Sequence, residues 1–376
     1  MNGNIKKWLI ELDYGFKNWL LLFFQKALFK NTKPIGSVLK IIVFRTGSIG
    51  DTVCALPALS VIRNNFPQAA IDLLTNSGSG NFVSMAELLD QSNYSSIINY
   101  RGTSFFELYK QLKIKKYDLF IDLAQYDATF IKQLKTIVFV KAMGIRSAFG
   151  WKVSQTTIFK KFQEKNRKFK SERARLLEIL KENGLDGSLA EINTKVDSAL
   201  EKKMTGFIDA NKLVLKNKNI GIVIGSKVEK NKWPLVNFES VMNYYLDKGY
   251  NLLIFGGKED HDKAEQLKMN NQVFNFCGSF TPLETAEAMK YCSVVISNDT
   301  GPMHLAYMVK TPVVAIFSSR DYPYKWFPPE DGLNKVFRAE NIPCSICFSR
   351  TCLDNYCMKK TTVQMVIDAA NILLSK

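Results

Sequence analysis

The sequence lacks any apolar run long enough to cross a bilayer. Its uninterrupted apolar run near the amino terminus is Trp19–Phe24, whereas a spanning helix needs about 20 apolar residues. The same region has neither the longer apolar stretch nor the small-residue cleavage site of a signal peptide. We therefore expect a cytoplasmic protein that does not span the membrane.

The first glycine-containing turn lacks two nucleotide-binding signatures. The stretch FRTGSIGDTVCALPAL, Phe44–Leu59, contains neither G-x-G-x-x-G nor G-x-x-x-x-G-K. A nicotinamide enzyme and an ordinary NTPase are therefore not supported. Internal repeats of solenoid length are also missing.

Acidic residues are few relative to basic ones. The chain of 376 residues has 51 Lys and Arg against 35 Asp and Glu, a formal net charge of +16. Such a balance favours an anionic partner: nucleic acid, an acidic membrane surface or a phosphorylated substrate. No nucleic-acid docking motif or aromatic platform is present, so we expect no nucleic-acid partner. The basic stretch 151–175 is either a solvated face or an acceptor-binding or membrane-facing patch.

The first 36 residues predict an amphipathic helix. Apolar residues recur at helical spacing on one face, namely Leu9, Leu12, Phe16, Leu20, Phe23 and Ala27. Tryptophan and lysine lie at its margins, as in helices that rest on a membrane surface. The alternative is that the helix packs on the body of the protein.

The rest of the chain alternates strand and helix patterns twice. This predicts an α/β protein with two Rossmann-like parallel sheets and an inter-domain cleft at the carboxyl edges of the strands. We predict an amino-terminal domain at 37–205, a linker at 206–219 where Lys and Asn accumulate, and a carboxyl-terminal domain at 220–376 that ends in a helix.

Asp51 is the candidate general base. It follows the Gly47 and Gly50 corner that ends the first strand, close to the start of a helix. A tuned carboxylate can accept a proton in catalysis, and Arg45 could orient it. The alternative is that Asp51 caps the helix.

A second candidate site is the segment SNDTGPMH, 297–304. Asp299, Thr300 and Gly301 stand where a strand gives way to a helix, and backbone N–H groups at such a helix start bind anions, of which a diphosphate is one. His304 either contacts the ligand or has a structural role. Ser226 with Lys230 and Lys232, in the loop before Trp233, could neutralise a leaving phosphate without a metal ion. Any one of these lysines could instead be solvated.

Four cysteines near the end follow the spacing C-x2-C-x4-C-x4-C: Cys344, Cys347, Cys352 and Cys357. Four thiols so close together could bind a structural zinc ion. The alternative is a set of reduced thiols beside the nucleotide pocket. We assign no catalytic metal and expect no cofactor.

Together these motifs resemble those of the ADP-heptose:lipopolysaccharide heptosyltransferase family, glycosyltransferase family 9. The matching pieces are FRTGSIGDTVCALPAL, YDLFIDLAQYDATF, KNKWP and VISNDTGPMHLAYMVKTPVVAIF. The resemblance runs from about Ser37 to the carboxyl terminus. It implies the GT-B fold, two facing Rossmann-like domains, and inverting sugar transfer without a metal ion.

The resemblance also implies roles for individual residues. Asp51 matches the family's proposed base, while Asp299, Thr300, Gly301 and His304 match its donor segment. The family's phosphate-binding lysine falls at Asn231, which Lys230 and Lys232 flank. Residues expected to orient the base or meet the acceptor complete the set: Arg45, Thr46, Ser48, Gly50, Arg173 and Arg175.

These residues predict an inverting glycosyltransferase with a nucleoside-diphosphate sugar as donor, ADP-heptose being favoured. Its acceptor is expected to be an anionic lipid-linked glycan, which fits peripheral attachment to the inner face of the cytoplasmic membrane. The alternatives are a nucleotide-sugar epimerase on the same fold, or a non-enzymatic basic protein that binds nucleic acid or membrane.

Overall fold

The computed structural model describes residues 3–29, 38–76, 85–89, 93–161, 169–190, 198–210, 219–267 and 270–376. The chain divides into two compact units: unit 1, Met1–Asn193, and unit 2, Thr194–Lys376. In the described part of the chain no helix is long and apolar enough to cross a membrane.

Unit 1 is built on a five-stranded parallel sheet with the order β3-β2-β1-β4-β5. The strands are β1 Lys40–Phe44, β2 Ala70–Thr75, β3 Ser96–Asn99, β4 Leu119–Asp122 and β5 Ser147–Phe149. The helices are α1 Gly3–Leu28, α2 Ile49–Asn65, α3 Phe105–Lys113, α4 Phe130–Ala142, α5 Gln155–Lys161 and α6 Glu172–Glu182. The strand order changes direction at β1: β2 and β3 are added on one side of it, and β4 and β5 on the other, while all strands stay parallel. The loops after β1 and β4 therefore diverge and leave room for a ligand.

Helix α1 lies on the body of unit 1, against α4 and α5. Ile10 and Leu21 are buried on that side, and Phe29 just after the helix stacks on Trp151. The predicted packing on the body is therefore confirmed for this face of α1. The opposite face stays exposed and apolar, with Trp19 57% exposed.

Unit 2 is built on a six-stranded parallel sheet with the order β11-β10-β9-β6-β7-β8. The strands are β6 Asn219–Val223, β7 Asn251–Ile254, β8 Val273–Asn275, β9 Val294–Asn298, β10 Val313–Phe317 and β11 Asn334–Arg338. The helices are α7 Ser198–Ala210, α8 Leu235–Leu246, α9 His261–Gln266, α10 Pro282–Met289, α11 Gly301–Met308, α12 Tyr356–Lys359 and α13 Val363–Leu374. In this sheet the strand order changes direction in the same way between β6 and β9.

The core of unit 2 explains why its strand pattern is the clearer one. Strands β6, β9 and β10 are buried along their whole length, as expected for central parallel strands with helices on both faces. Trp233 ties the core to the carboxyl-terminal segment, because its indole N–H donates to the Thr361 carbonyl over 2.9 Å.

The predicted fold class is confirmed by the two parallel sheets. The edge strands β5 and β11 were not predicted, because β5 has only 3 residues and β11 is only half-buried along its length. The boundary between the units, after Asn193, lies before the predicted linker at 206–219. Residues 206–210 of that linker end α7, and 211–218 lie outside the described residues.

Candidate active site

The corner between β1 and α2 is built around the Asp51 carboxylate. Asp51 lies three residues after the helix N-cap, Ser48, and its Oδ2 accepts hydrogen bonds from the Ser48 N–H at 2.9 Å and from the Ser48 Oγ at 3.1 Å. Helix capping, the predicted alternative for Asp51, is therefore present. The side chain still keeps 18% exposure, so capping does not exclude contact with a ligand.

Gly47 allows Asp51 to sit this close to the corner. Its φ is +134°, which L residues rarely adopt, and a Cβ built on Gly47 would lie 2.4 Å from the Asp51 Cβ and Cγ. Any side chain here would displace the carboxylate. Gly50, which we predicted beside the substrate, lies buried in the first turn of α2.

Arg45 lies behind Asp51. Its Nη2 is 3.5 Å from Asp51 Oδ1 and also donates to the Asp51 carbonyl over 3.2 Å, as the predicted orienting role requires. Burial raises the pKa of Asp51, while the Arg45 charge and the Ser48 N–H act in the opposite direction. The balance is a pKa above the ordinary value of an aspartate, which suits a group that must take a proton near neutral pH.

A cavity of about 820 Å³ opens above this corner within unit 1. Thr46, Ser48 and Asp51 line one part of it, and the cations Arg101, Lys132 and Lys135 line another. The remaining lining residues are Phe44, Gly47, Asn76, Tyr100, Gln125, Asp127, Ala128, Gln133 and Thr136. The predicted acceptor residues Thr46 and Ser48 are therefore brought together with Asp51.

The two arginines predicted to meet the acceptor do not line this cavity. Arg175 is directed instead at Glu172, with Nε 2.7 Å from Oε2 and Nη2 2.7 Å from Oε1. Arg173, on the same helix, is half-buried. Part of the predicted basic stretch, residues 162–168, lies outside the described residues.

In unit 2 the loops that follow β6, β9 and β10 meet around Asp299. The Asn231 amide donates to Asp299 Oδ2 over 2.8 Å and accepts from the Ser318 Oγ at 2.6 Å. Ser226 Oγ donates to the Asp299 carbonyl over 3.0 Å. The predicted donor residues Ser226 and Asp299 therefore lie together.

The surroundings of Asp299 favour its neutral form. Burial and the Asp321 charge raise its pKa to about 7, against the opposing charge of Arg320. A carboxyl that is about half protonated at pH 7 repels a phosphate less than a fully ionised one does. The adjacent helix α11 begins at Gly301 with Thr300 as its extended N-cap, a geometry that attracts anions through backbone N–H groups.

His304 is buried within α11, and its Nδ1 lies 2.9 Å from the Tyr307 hydroxyl. Burial lowers its pKa to about 4, so the imidazole is neutral at pH 7. The contact with Tyr307 supports the structural alternative for His304.

The two lysines of the β6 loop have different partners. Lys230 is buried, with Nζ 3.0 Å from Cys347 Sγ, whereas Lys232 pairs with Glu229 over 2.6 Å at the surface. The ammonium group of Lys230 lowers the pKa of Cys347. Cys347, one of the four clustered thiols, therefore lies beside the β6 loop. Among the described residues no group of three or more Cys, His, Asp or Glu is arranged to hold a metal ion.

Several residues of both corners were missed by reasoning from the sequence. Glu172 was treated only as part of a basic stretch, and Ser318 as the end of a strand. Buried polar residues just after central strands were the available signal for Ser318. Glu172 gave no such signal, because its contacts are long-range. The three cations of the cavity belong to no recognisable sequence motif and were therefore not predicted: Arg101, Lys132 and Lys135.

Two Rossmann-like parallel sheets, each with a polar corner after a central strand, are typical of proteins with the GT-B fold. Residues 105–357 match the model of glycosyltransferase family 9 (heptosyltransferase), so the chain belongs to that family and is a glycosyltransferase. Lipooligosaccharide heptosyltransferase 2 of Campylobacter jejuni is 28% identical over 357 residues, which cover 89% of this chain and 98% of the relative.

Solved structures agree with the fold. A family 9 glycosyltransferase from Veillonella parvula superposes with a TM-score of 0.72 at 21% identity, covering 92% of this chain and 99% of that one. The E. coli heptosyltransferase WaaC with ADP-2-deoxy-2-fluoro heptose gives a TM-score of 0.59 at 16% identity, covering 89% and 99%.

Proposed function

We propose that this protein transfers heptose from ADP-heptose to an anionic acceptor of the lipopolysaccharide or lipooligosaccharide core. Transfer is proposed to invert the anomeric configuration and to need no metal ion. The family and the name of the Campylobacter relative support the sugar and the acceptor. The donor is supported by the ADP-linked heptose analogue bound to E. coli WaaC. The observation that carries the proposal is the Asp51 carboxylate, partly exposed in a cavity lined by cations.

In the proposed reaction an acceptor hydroxyl attacks the anomeric carbon from the face opposite the diphosphate. The new bond joins the acceptor oxygen to the sugar, the bond from the sugar to the diphosphate breaks, and Asp51 takes the hydroxyl proton. A carboxylate whose pKa is raised by burial is a better base than an ordinary aspartate.

The leaving diphosphate is assigned to the loops around Asp299. The start of α11 at Thr300 and Gly301 provides backbone N–H groups, and Ser226 lies beside them through Asp299. A lysine of the β6 loop, Lys230 or Lys232, would supply the positive charge. Together these groups do what a divalent cation does in other transferases.

The acceptor is assigned to the cavity of unit 1. Arg101, Lys132 and Lys135 line the same cavity as Asp51, so a carboxylate or phosphate on the acceptor could bind them while its hydroxyl reaches the base. Charge reversal in Lys135→Glu should raise the acceptor KM about tenfold and leave the donor KM unchanged. Arg173→Glu is the comparison. If it raises the acceptor KM more than Lys135→Glu does, the acceptor binds at the basic stretch 151–175 and not in this cavity.

The exposed face of α1 is proposed to rest on an anionic membrane surface, which would place the enzyme at the inner face of the cytoplasmic membrane. Large apolar side chains follow this face at helical spacing: Ile5, Trp8, Leu12, Phe16, Trp19 and Phe23. Lys6, Lys7 and Lys26 are exposed on the same helix. Aromatic side chains flanked by lysines bind at the lipid headgroup level, and the net charge of +16 favours anionic lipid.

Vesicle co-sedimentation tests this surface. Replacing Trp8, Phe16 and Trp19 by serine should abolish binding to vesicles that contain phosphatidylglycerol while the fold is kept, because these side chains are exposed. Serine at Phe106 and Ile114, which are exposed elsewhere on unit 1, is the control. Equal binding by the triple variant and the wild type would rule out this face.

The reaction itself is tested by product analysis with ADP-heptose and a core acceptor. We expect heptose on the acceptor with the anomeric configuration opposite to that in the donor, and a rate that excess chelator leaves unchanged. Isomerisation of the sugar nucleotide without acceptor would instead support the epimerase alternative. Retention of configuration, or activity lost to chelator and restored by magnesium, would overturn the proposed mechanism.

A further inference from the structure

Asp51 is the first of four side chains of alternating charge that contact one another in sequence: Asp51, Arg45, Glu172 and Arg175. The Arg45 side chain has no exposure, and its Nη2 lies 3.0 Å from Glu172 Oε1 as well as 3.5 Å from Asp51 Oδ1. Its Nη1 donates to the Leu123 carbonyl over 3.3 Å. One guanidinium thus contacts both carboxylates, and its position depends on each of them.

Glu172 is held more firmly than capping a helix requires. It lies in the first turn of α6, which packs against α2, and its side chain is 0% exposed. Arg175 donates a hydrogen bond of 2.7 Å to each of the two Glu172 carboxylate oxygens. A buried carboxylate is costly unless it is well paired. By contrast, Glu182 on the same helix is 51% exposed and pairs with Lys152 at the surface.

Charged groups from the neighbouring elements surround Arg45 and Asp51. Arg45 directly follows β1, Glu172 on α6 interacts with both, and Arg175 on α6 and Asp122 at the end of β4 complete the set through Glu172 and Arg45. The charged residues of the shared cavity are Arg101, Asp127, Lys132 and Lys135.

The charges in the buried part of this set balance. Neither Asp122 oxygen has a hydrogen-bond partner among the described residues, and burial raises the pKa of Asp122 to about 8, against the charges of Arg175 and Arg45. Asp122 is therefore mostly protonated at pH 7. The two remaining carboxylates, Asp51 and Glu172, then match the guanidiniums of Arg45 and Arg175.

We propose that Glu172 is a positioning residue for the base: it holds Arg45, shares the charge of that guanidinium, and so keeps the Asp51 carboxylate both in place and basic. This inference rests on the proposed role of Asp51. The Glu172 charge raises the pKa of Asp51, whereas Arg45 lowers it. Without Glu172, Arg45 would pair with Asp51 alone, and Asp51 would become a weaker base.

The test is the pH profile of transfer by Glu172→Gln, which keeps the size of the side chain and one acceptor oxygen for Arg175. We expect kcat to fall about tenfold, with both KM values within about twofold. The acid limb of the kcat profile should move to lower pH, because the pKa of Asp51 falls when Arg45 has no other carboxylate. Loss of activity through misfolding alone would not move this limb.

Glu182→Gln is the matched control, with the same substitution on the same helix at an exposed position, and its profile should equal that of the wild type. If Glu172→Gln does not fold, Arg175→Lys is the second variant, because it removes the paired hydrogen bonds that hold Glu172 in place. It should move the acid limb of the kcat profile in the same direction, by a smaller amount. An unmoved acid limb in the folded variant overturns the inference, whether or not kcat falls. If Asp51→Asn also retains activity, the proposed function fails with it; if Asp51→Asn is inactive, only the role of Glu172 fails.

Discussion

Each unit has an aspartate after one of the two strands between which its strand order changes direction, β1 in unit 1 and β9 in unit 2, but the two aspartates have different neighbours. Asp51 follows the central strand β1 and is held by Ser48 and by the charged side chain of Arg45. Asp299 follows the central strand β9 and is held by the neutral amide of Asn231. Both side chains are half-buried. The Arg45 charge opposes the rise in the pKa of Asp51, whereas the nearby Asp321 adds to the rise in the pKa of Asp299, which reaches about 7.

This difference matches what each corner is proposed to do. A base must carry a negative charge and reach a hydroxyl, so ion pairing and a cavity suit Asp51. A site for a diphosphate is weakened by negative charge, so the raised pKa of Asp299, about 7, suits it better than that of a fully ionised carboxylate would. The same sheet topology therefore supports two kinds of site, and the neighbours of each aspartate decide which.

Among variants that keep Asp51 itself, the largest effect is expected when its corner is disturbed through Gly47. Gly47→Ala would place a Cβ 2.4 Å from Asp51, so kcat should fall about 100-fold through misplacement of the base. Gly187→Ala, where nothing lies within 4 Å of the added Cβ, is the control for steady-state transfer assays. Wild-type kcat in Gly47→Ala would mean that the position of Asp51 is unimportant.

A smaller effect is expected from the amide that holds Asp299. Asn231→Ala removes the contacts to Asp299 and Ser318, and the donor KM should rise about tenfold, since a hydrogen bond to a charged or buried group contributes about 1.5–3 kcal/mol. The acceptor KM should stay constant. Asn275→Ala, in a more exposed part of unit 2, is the control, and an equal rise there would contradict a specific role for Asn231.

The smallest effect concerns stability and its dependence on pH. The folded pKa of Asp299, about 7, lies above its ordinary value of 3.8. The carboxyl therefore contributes most below the ordinary pKa, and this contribution is lost as the pH rises toward 7. Asp299→Asn should raise the Tm by about 5 °C at pH 8 and by less at pH 5.

Asp262→Asn, a fully exposed position in the same unit, provides the comparison in these melting curves. If Asp299→Asn shifts the Tm equally at both pH values, the neutral state assigned to Asp299 is wrong.

The sequence predicted the fold class and the position of both corners because their signals are local. Glycine next to Asp51 and the apolar strands before each corner both act within a few residues. The edge strands β5 and β11 gave weaker patterns, since β5 has only 3 residues and β11 is half-buried along its length.

The partners of charged side chains could not be predicted in this way. Arg175 was expected to meet the acceptor, but its direction depends on how α6 packs on α2. Likewise, the Lys230 contact with Cys347 joins two loops that only the fold brings together. Long-range packing decides such contacts, and no local pattern records it.

The central claim, that Asp51 takes the proton, is tested most directly by Asp51→Asn, measured for both transfer and donor binding. The amide keeps the shape of the side chain but cannot act as a base. We predict that kcat falls by about 10²–10⁴-fold, while the Kd for ADP-heptose stays within about threefold of the wild-type value. Turnover close to that of the wild type would contradict the claim.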